Sequence, residues 1–275
     1  MKNLIIILLF TISNIVVSQN IFTQYYPSNE NYRAYRVKED FNGDFVISGY
    51  KDIVSLGRFK PYTFKVSNTG HKLDSMTYFS EIPLDWYFQD VLIDSTIYYF
   101  IGYSGDWKTA GFGPNDSSMF LLKTDYNLNP IDTHYYSIVD NHDIVYSTSK
   151  FDLNGNIITA GYYFSTNGRL GSFINKVTKN GDLINSSFIT PDSNRMFINT
   201  MIDSDAYYIF SHRHSSIKTR LLYKYDTLLN FAGTYVIPPN VTQYYSPIKL
   251  NNDEYFTSGY TFEDEFSIIK STIEG

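Results

Sequence analysis

Two aspartates stand where chemistry on a sugar could be done. Asp85 and Asp143 each open an apolar run of the same type. Cleavage of a glycosidic bond needs one carboxyl to donate a proton and a second, about 5–9.5 Å away, to act as base or nucleophile. At matching offsets in the remaining runs stand Asn31, Arg195 and Gln243, so five polar residues of mixed character are expected to ring one mouth of the molecule. Arg195 offers a two-pronged donor for a carboxylate or an acidic sugar. Trp86, Trp107 and Tyr244 offer flat rings for a sugar or peptide. Trp107 lies in the longest loop, Ser104–Ser118, and a loop of that length inside a compact repeat often has a role. Asp85, Trp86, Trp107, Asp143, Arg195 and Tyr244 are therefore the candidate ligand-binding set, with Asp85 and Asp143 the candidate catalytic pair. A plainer reading stands beside each: loop ends are ordinarily polar, and both tryptophans are equally suited to packing.

Other chemistries find less support. His212 and His214 would share one face of a strand, but a zinc site needs a third protein ligand and none is identifiable, so no metal is expected. The segments DFNGD (Asp40–Asp44) and DLNGN (Asp152–Asn156) lack the further acidic ligands of a calcium loop and read as hairpin turns. There is no GxSxG, HExxH or glycine-rich phosphate loop, and no cofactor is expected.

The elements that position these residues come from a repeat. Apolar residues lead into a small residue and usually an aromatic ring in FVISGY, YYFIGY, IITAGY, YYIFSH and YFTSGY, placing Gly49, Gly102, Gly161, Ser211 and Gly259 at a period of roughly 50 residues. A second marker keeps the same beat at Lys65, Lys123, Lys176, Lys224 and Lys270. Runs of 5–8 residues rich in Tyr, Phe, Ile, Val and Thr, bounded by Gly, Asn and Asp, are strands. Asn-Gly at 42–43, 154–155 and 180–181 supplies the positive φ of tight hairpins. The last copy ends after its third strand, and IFTQYYPS (Ile21–Ser28) resembles the fourth strands. The expectation is an all-β, five-bladed β-propeller of four-stranded antiparallel blades, the last blade closed by the N-terminal strand.

Composition narrows the rest. Among 275 residues the formal net charge is −6 and no basic stripe occurs, which argues against nucleic acid. Met1–Ser18 has the form of a secretory signal peptide, leaving a single domain over 19–275 with no further membrane segment. Cysteine is absent, so neither a lipoprotein anchor nor a disulfide framework is expected. The leader ending in SQN, the Tyr/Asn/Lys-rich composition, and units of the form NGxxxxxGY followed by FxxKxxxNG resemble the secreted β-propeller repeat proteins common in Bacteroidota. That resemblance spans nearly the whole mature chain and implies a fold, with no site residue to carry over. With the signal peptide, the expected location is secreted, periplasmic or at the outer-membrane surface. The first functional expectation is a monomeric, non-catalytic propeller binding a protein or glycan through its loop face. The alternatives are a glycosidase-type enzyme using Asp85 and Asp143, and a structural component of the envelope.

Overall fold

The computed structural model describes residues 31–53, 58–79, 85–105, 118–136, 143–164, 170–189, 195–202, 206–213, 220–237, 243–251, 254–260 and 266–272. They form nineteen strands in five antiparallel sheets. The first sheet is β1 (Asn31–Glu39), β2 (Phe45–Ile53), β3 (Arg58–Val66) and β4 (Lys72–Thr77); the second is β5 (Asp85–Asp94), β6 (Ile97–Gly105), β7 (Ser118–Thr124) and β8 (Pro130–Tyr136). The third is β9 (Asp143–Phe151), β10 (Ile157–Phe164), β11 (Leu170–Val177) and β12 (Leu183–Ile189); the fourth is β13 (Arg195–Ile202), β14 (Ala206–Arg213), β15 (Arg220–Asp226) and β16 (Phe231–Ile237). The fifth has three described strands, β17 (Gln243–Asn251), β18 (Glu254–Tyr260) and β19 (Phe266–Thr272). Each sheet is a meander in chain order, and the first strands touch one another in the order β1, β5, β9, β13, β17. Those five are the inner strands.

Hairpins are set by one recurring turn. At Asp40, Ser67, Asp125, Asp152, Thr178 and Asp226 the backbone N–H bonds to the carbonyl four residues on, and the carbonyl accepts from the N–H three residues on. The side-chain oxygen of the same residue accepts from backbone amides inside the turn, as Asp152 does from Asn154 and Asn156 at 2.9 and 2.8 Å. This geometry requires positive φ at the fourth position. Glycine supplies it at Gly43, Gly70, Gly155 and Gly181, but Leu128 and Leu229 supply it in the second and fourth sheets. Both leucines are buried, and core packing offsets their backbone strain. The DFNGD and DLNGN segments are thus turns, with their aspartates occupied by the fold.

Alternation along each strand builds a core on both faces of a sheet. On β6, Tyr98 and Phe100 pack with Phe88, Phe120 and Val46 of the first and second sheets, while Tyr99, Ile101 and Tyr103 pack with Ile157, Tyr163 and Phe173 of the third. The repeated lysine marker has a structural task in two sheets. Lys65 Nζ lies 2.8 Å from Asp40 Oδ2, and Tyr98 of the next sheet donates its hydroxyl to the same oxygen at 2.9 Å. Lys176, Asp152 and Tyr207 repeat the arrangement between the third and fourth sheets, at 3.1 and 3.0 Å.

The glycine marker is explained by β-bulges. The inner-strand pairing slips between Ala34 and Arg36 and between Phe88 and Asp90, next to the partners of Gly49 and Gly102. There the inner strand presses on the marker: a Cβ at Gly49 would lie 1.8 Å from the Arg33 carbonyl oxygen, and one at Gly102 2.3 Å from that of Tyr87. A bulge bends and twists a strand, and repeated bulges curve the inner wall.

Candidate active site

Asn31, Asp85, Asp143, Arg195 and Gln243 are the first residues of β1, β5, β9, β13 and β17. Each begins its inner strand at the end that pairs with the close of the second strand, as Asp85 does with Gly105 and Asp143 with Phe164. One rim of the molecule therefore carries all five positions. Tyr244, paired with Gly259, follows Gln243 by one residue. For Asp143, Arg195 and Tyr244 the strand placement is described and the side chain is not; Trp107 and His214 lie outside the described residues, and His212 falls in β14.

The first two residues of β5 face opposite ways. Asp85 is buried, with its Oδ1 accepting the Phe59 N–H at 2.8 Å and its Oδ2 3.4 Å from Arg58 Nη1. Trp86 points into the core, 4.4 Å from the Phe79 ring, 5.0 Å from Phe120 and 5.6 Å from Tyr135. At 4% exposure it has no face left for a ligand, which corrects the role expected for it: strand alternation sends it away from Asp85.

Tyr87 shares the Asp85 face and belongs to a wall of half-buried rings that sequence reasoning missed. Tyr35, Tyr50 and Tyr87 stand 5.8–6.4 Å apart, and Phe59 lies 4.6 Å from Tyr50. Tyr35 is the extra residue of the β1 bulge, which turns it toward the next sheet. Burial, with the neighbouring Tyr50, pushes its hydroxyl above the ordinary tyrosine range against the pull of Arg33. Arg33 itself lies 5.8 Å from the Tyr50 ring centre. Among so many tyrosines, only the two-residue step from Asp85 to Tyr87 could have signalled this wall.

A second carboxylate lies farther along β5. Asp90 is buried, accepts the Val91 N–H at 2.9 Å and the Ser149 N–H of β9 at 2.8 Å, and faces Arg36 Nε of β1 at 3.6 Å. Burial pushes its carboxyl above the ordinary range, against Arg36, the two amides and Lys38. A lone acid inside the apolar run WYFQDVLI was the signal for it.

No family model and no curated protein matches the chain. Solved structures do. A GH43 beta-xylosidase/alpha-arabinofuranosidase from a compost microbial metagenome is 11% identical, with 90% of this chain and 92% of that one covered and a TM-score of 0.48. A GH43 beta-1,3-galactosidase is 10% identical over 87% and 94%, at 0.47. An apocarotenoid oxygenase of Synechocystis is 12% identical over 90% of this chain and 60% of its own, at 0.53. The fold is a β-propeller. At such identities the likeness speaks for the fold. The expectation of a non-catalytic binder is corrected and is not carried forward; the carbohydrate-active alternative is taken up as a proposal.

Proposed function

We propose that this propeller is a glycan-active enzyme in which Asp85 and Asp143 form the working carboxylate pair. The observation that carries the reading is a carboxylate and an aromatic wall on one face of β5: Asp85, Tyr87, Tyr50, Phe59 and Tyr35. Sugar rings present apolar C–H faces that stack on such rings, while a few placed polar groups fix orientation. Both oxygens of Asp85 accept hydrogen bonds, an arrangement for a base or nucleophile, which leaves the proton donor's part to Asp143 at the head of the neighbouring inner strand. Trp107, Arg195 and Tyr244 complete the rim as substrate contacts in this reading. The supporting scaffold is a closed ring of five blades, with Ile21–Ser28 as the fourth strand beside β19. The Met1–Ser18 leader suits export to the periplasm or outer surface, where glycans are met.

The test is hydrolysis of aryl xylosides, arabinofuranosides and galactosides by the protein comprising residues 19–275. At least one should be cleaved. Asp85→Asn and Asp143→Asn should each lower kcat/KM by about 10²–10⁴-fold, the usual range for losing an acid or base. Cleavage of none of the three, or full activity in Asp143→Asn, rejects the assignment.

A further inference from the structure

We infer that the saccharide taken up at the aromatic wall is acidic, and that Arg33 selects it by pairing with the carboxylate of a uronic acid unit. The wall is the sugar platform of the proposed activity, on which this reading rests; Arg33 adds a charge to its edge. Arg33 on β1 stands opposite Tyr50 on β2, so both side chains leave the sheet on one face, and the guanidinium carbon lies 5.8 Å from the Tyr50 ring centre. Tyr50 is also the ring around which Tyr35, Phe59 and Tyr87 gather, at 5.8, 4.6 and 6.4 Å. The cation therefore belongs to the platform rather than to a separate patch.

The three arginines of the first sheet differ in what they meet. Arg58 pairs with the buried Asp85 at 3.4 Å, and Arg36 with the buried Asp90 at 3.6 Å. Arg33 is exposed and enters no ion pair among the described residues. Asp52, two residues from Tyr50 on the same face, is placed beside Arg33 by register yet forms no ion pair with it. Both oxygens of Asp85 are occupied by Phe59 and Arg58, which limits its repulsion of an arriving anion. A guanidinium resting against a ring is held in place while its paired N–H groups match the two oxygens of a carboxylate. A pyranose stacked on these rings by its C–H face carries its carboxylate at the ring edge when it is a uronic acid, which is where Arg33 stands.

Isothermal titration calorimetry in low-salt buffer tests the assignment, with digalacturonate, its neutral counterpart α-1,4-galactobiose, and acetate as probes. Digalacturonate should bind about tenfold or more tightly than galactobiose, the range for one charge-assisted hydrogen-bonded pair. Arg33→Gln should abolish that preference while leaving galactobiose binding and the melting temperature unchanged. Asp52→Asn should tighten digalacturonate binding severalfold, because it removes a like charge from the same face. Acetate, which has no ring to stack, should bind far more weakly than digalacturonate; comparable binding would make Arg33 a site for free anions and overturn the saccharide. Binding of neither sugar, equal binding of both, or a preference that survives in Arg33→Gln also overturns the inference. Because affinity is read apart from turnover, a protein that prefers the acidic sugar but cleaves no glycoside keeps this inference and loses only the Asp85–Asp143 assignment.

Discussion

Lys65 and Lys123 occupy the same repeat position and do different work. Lys65 is buried against Asp40, with Tyr98 and the face of Tyr126, whose ring centre is 3.1 Å from its Nζ. Lys123 is half-exposed at the same step of β7. Removing one member of a buried pair leaves the other charge without its partner, so Lys65→Met should cost about 3–5 kcal/mol. Lys123→Met should cost ~0–1 kcal/mol, as for exposed charges generally. Urea denaturation of the two variants compares them directly, and equal losses would remove the buried clamp from the account. Titration gives a second reading. Burial opposes ionisation of Asp40, yet Lys65, Tyr98 and the Asn42 amide together hold its carboxyl below the ordinary range; Asp152 is held low in the same way by Asn156, Lys176 and Tyr207. A depressed folded-state value stabilises above the unfolded value and is lost as pH falls through the folded one. Stability should therefore drop on acidification below about pH 4, the unfolded carboxylate range. Melting temperatures across pH 3–7 should fall less steeply in Asp40→Asn than in the parent protein, and parallel curves would contradict the linkage.

At this scale the sequence carried position better than role. Equal offsets from the small-residue marker put Asp85 and Asp143 at the heads of neighbouring inner strands, which is where they stand. Whether a side chain faces the core or the inner wall depends on bulges that shift the phase of alternation, and no local pattern declares them. Tyr35 is hidden for that reason, whereas Trp86 precedes the β5 bulge and faces the core by plain alternation from Asp85.

At the scale of elements, the strands and most turns were legible, because Asn-Gly and alternating β-branched and aromatic residues act through local geometry. The leucine turns were not. Leu128 and Leu229 adopt positive φ only because buried partners hold them there, a tertiary cause. The marker glycines belong to this scale too. Gly102→Ala would drive a methyl group to 2.3 Å from the Tyr87 carbonyl oxygen and 2.5 Å from Phe120, and the bulged backbone has nowhere to retreat. Overpacking of this kind costs roughly 1–3 kcal/mol. Gly233→Ala on β16 is the contrast, since nothing lies within 4 Å of its added Cβ. A strand glycine replaced without a clash gains about 0.4–1 kcal/mol by restricting the unfolded chain. Calorimetry should thus show the two substitutions moving the melting temperature in opposite directions. A fall in both would mean that the glycines are kept for flexibility rather than for the close approach.

The whole molecule repeats in pairs of blades as well as singly. The first and third sheets share the Asp-x-Asn-Gly inner turn and a clamping lysine, while the second and fourth share the Leu turn and the tyrosine that receives the clamp. The clamps thereby join sheet one to two and sheet three to four. The contacts between β5 and β9 and between β13 and β17 join the pairs and the fifth sheet by packing, with the Lys179–Asp94 pair at 2.5 Å assisting between the second and third. A fifth sheet with β17, β18 and β19 in order ends on β19 among the described residues, and an uncovered sheet edge offers a row of unpaired backbone groups. In the proposed closure Ile21–Ser28 pairs with β19, tying the last sheet to the first through the short segment that leads into β1. The strand then matters to every blade, because an open ring can lose sheets from either end. A protein beginning at Asn29 should melt well below one beginning at Gln19. Each kcal/mol lost shifts the midpoint by about 2–4 °C in a domain near this size, so the loss of a pairing strand should exceed that several times over. Adding a synthetic peptide of residues 19–28 to the shortened protein should restore part of the loss, in proportion to its concentration. Equal melting of the two proteins, within about 2 °C, would mean that the ring is closed otherwise or left open.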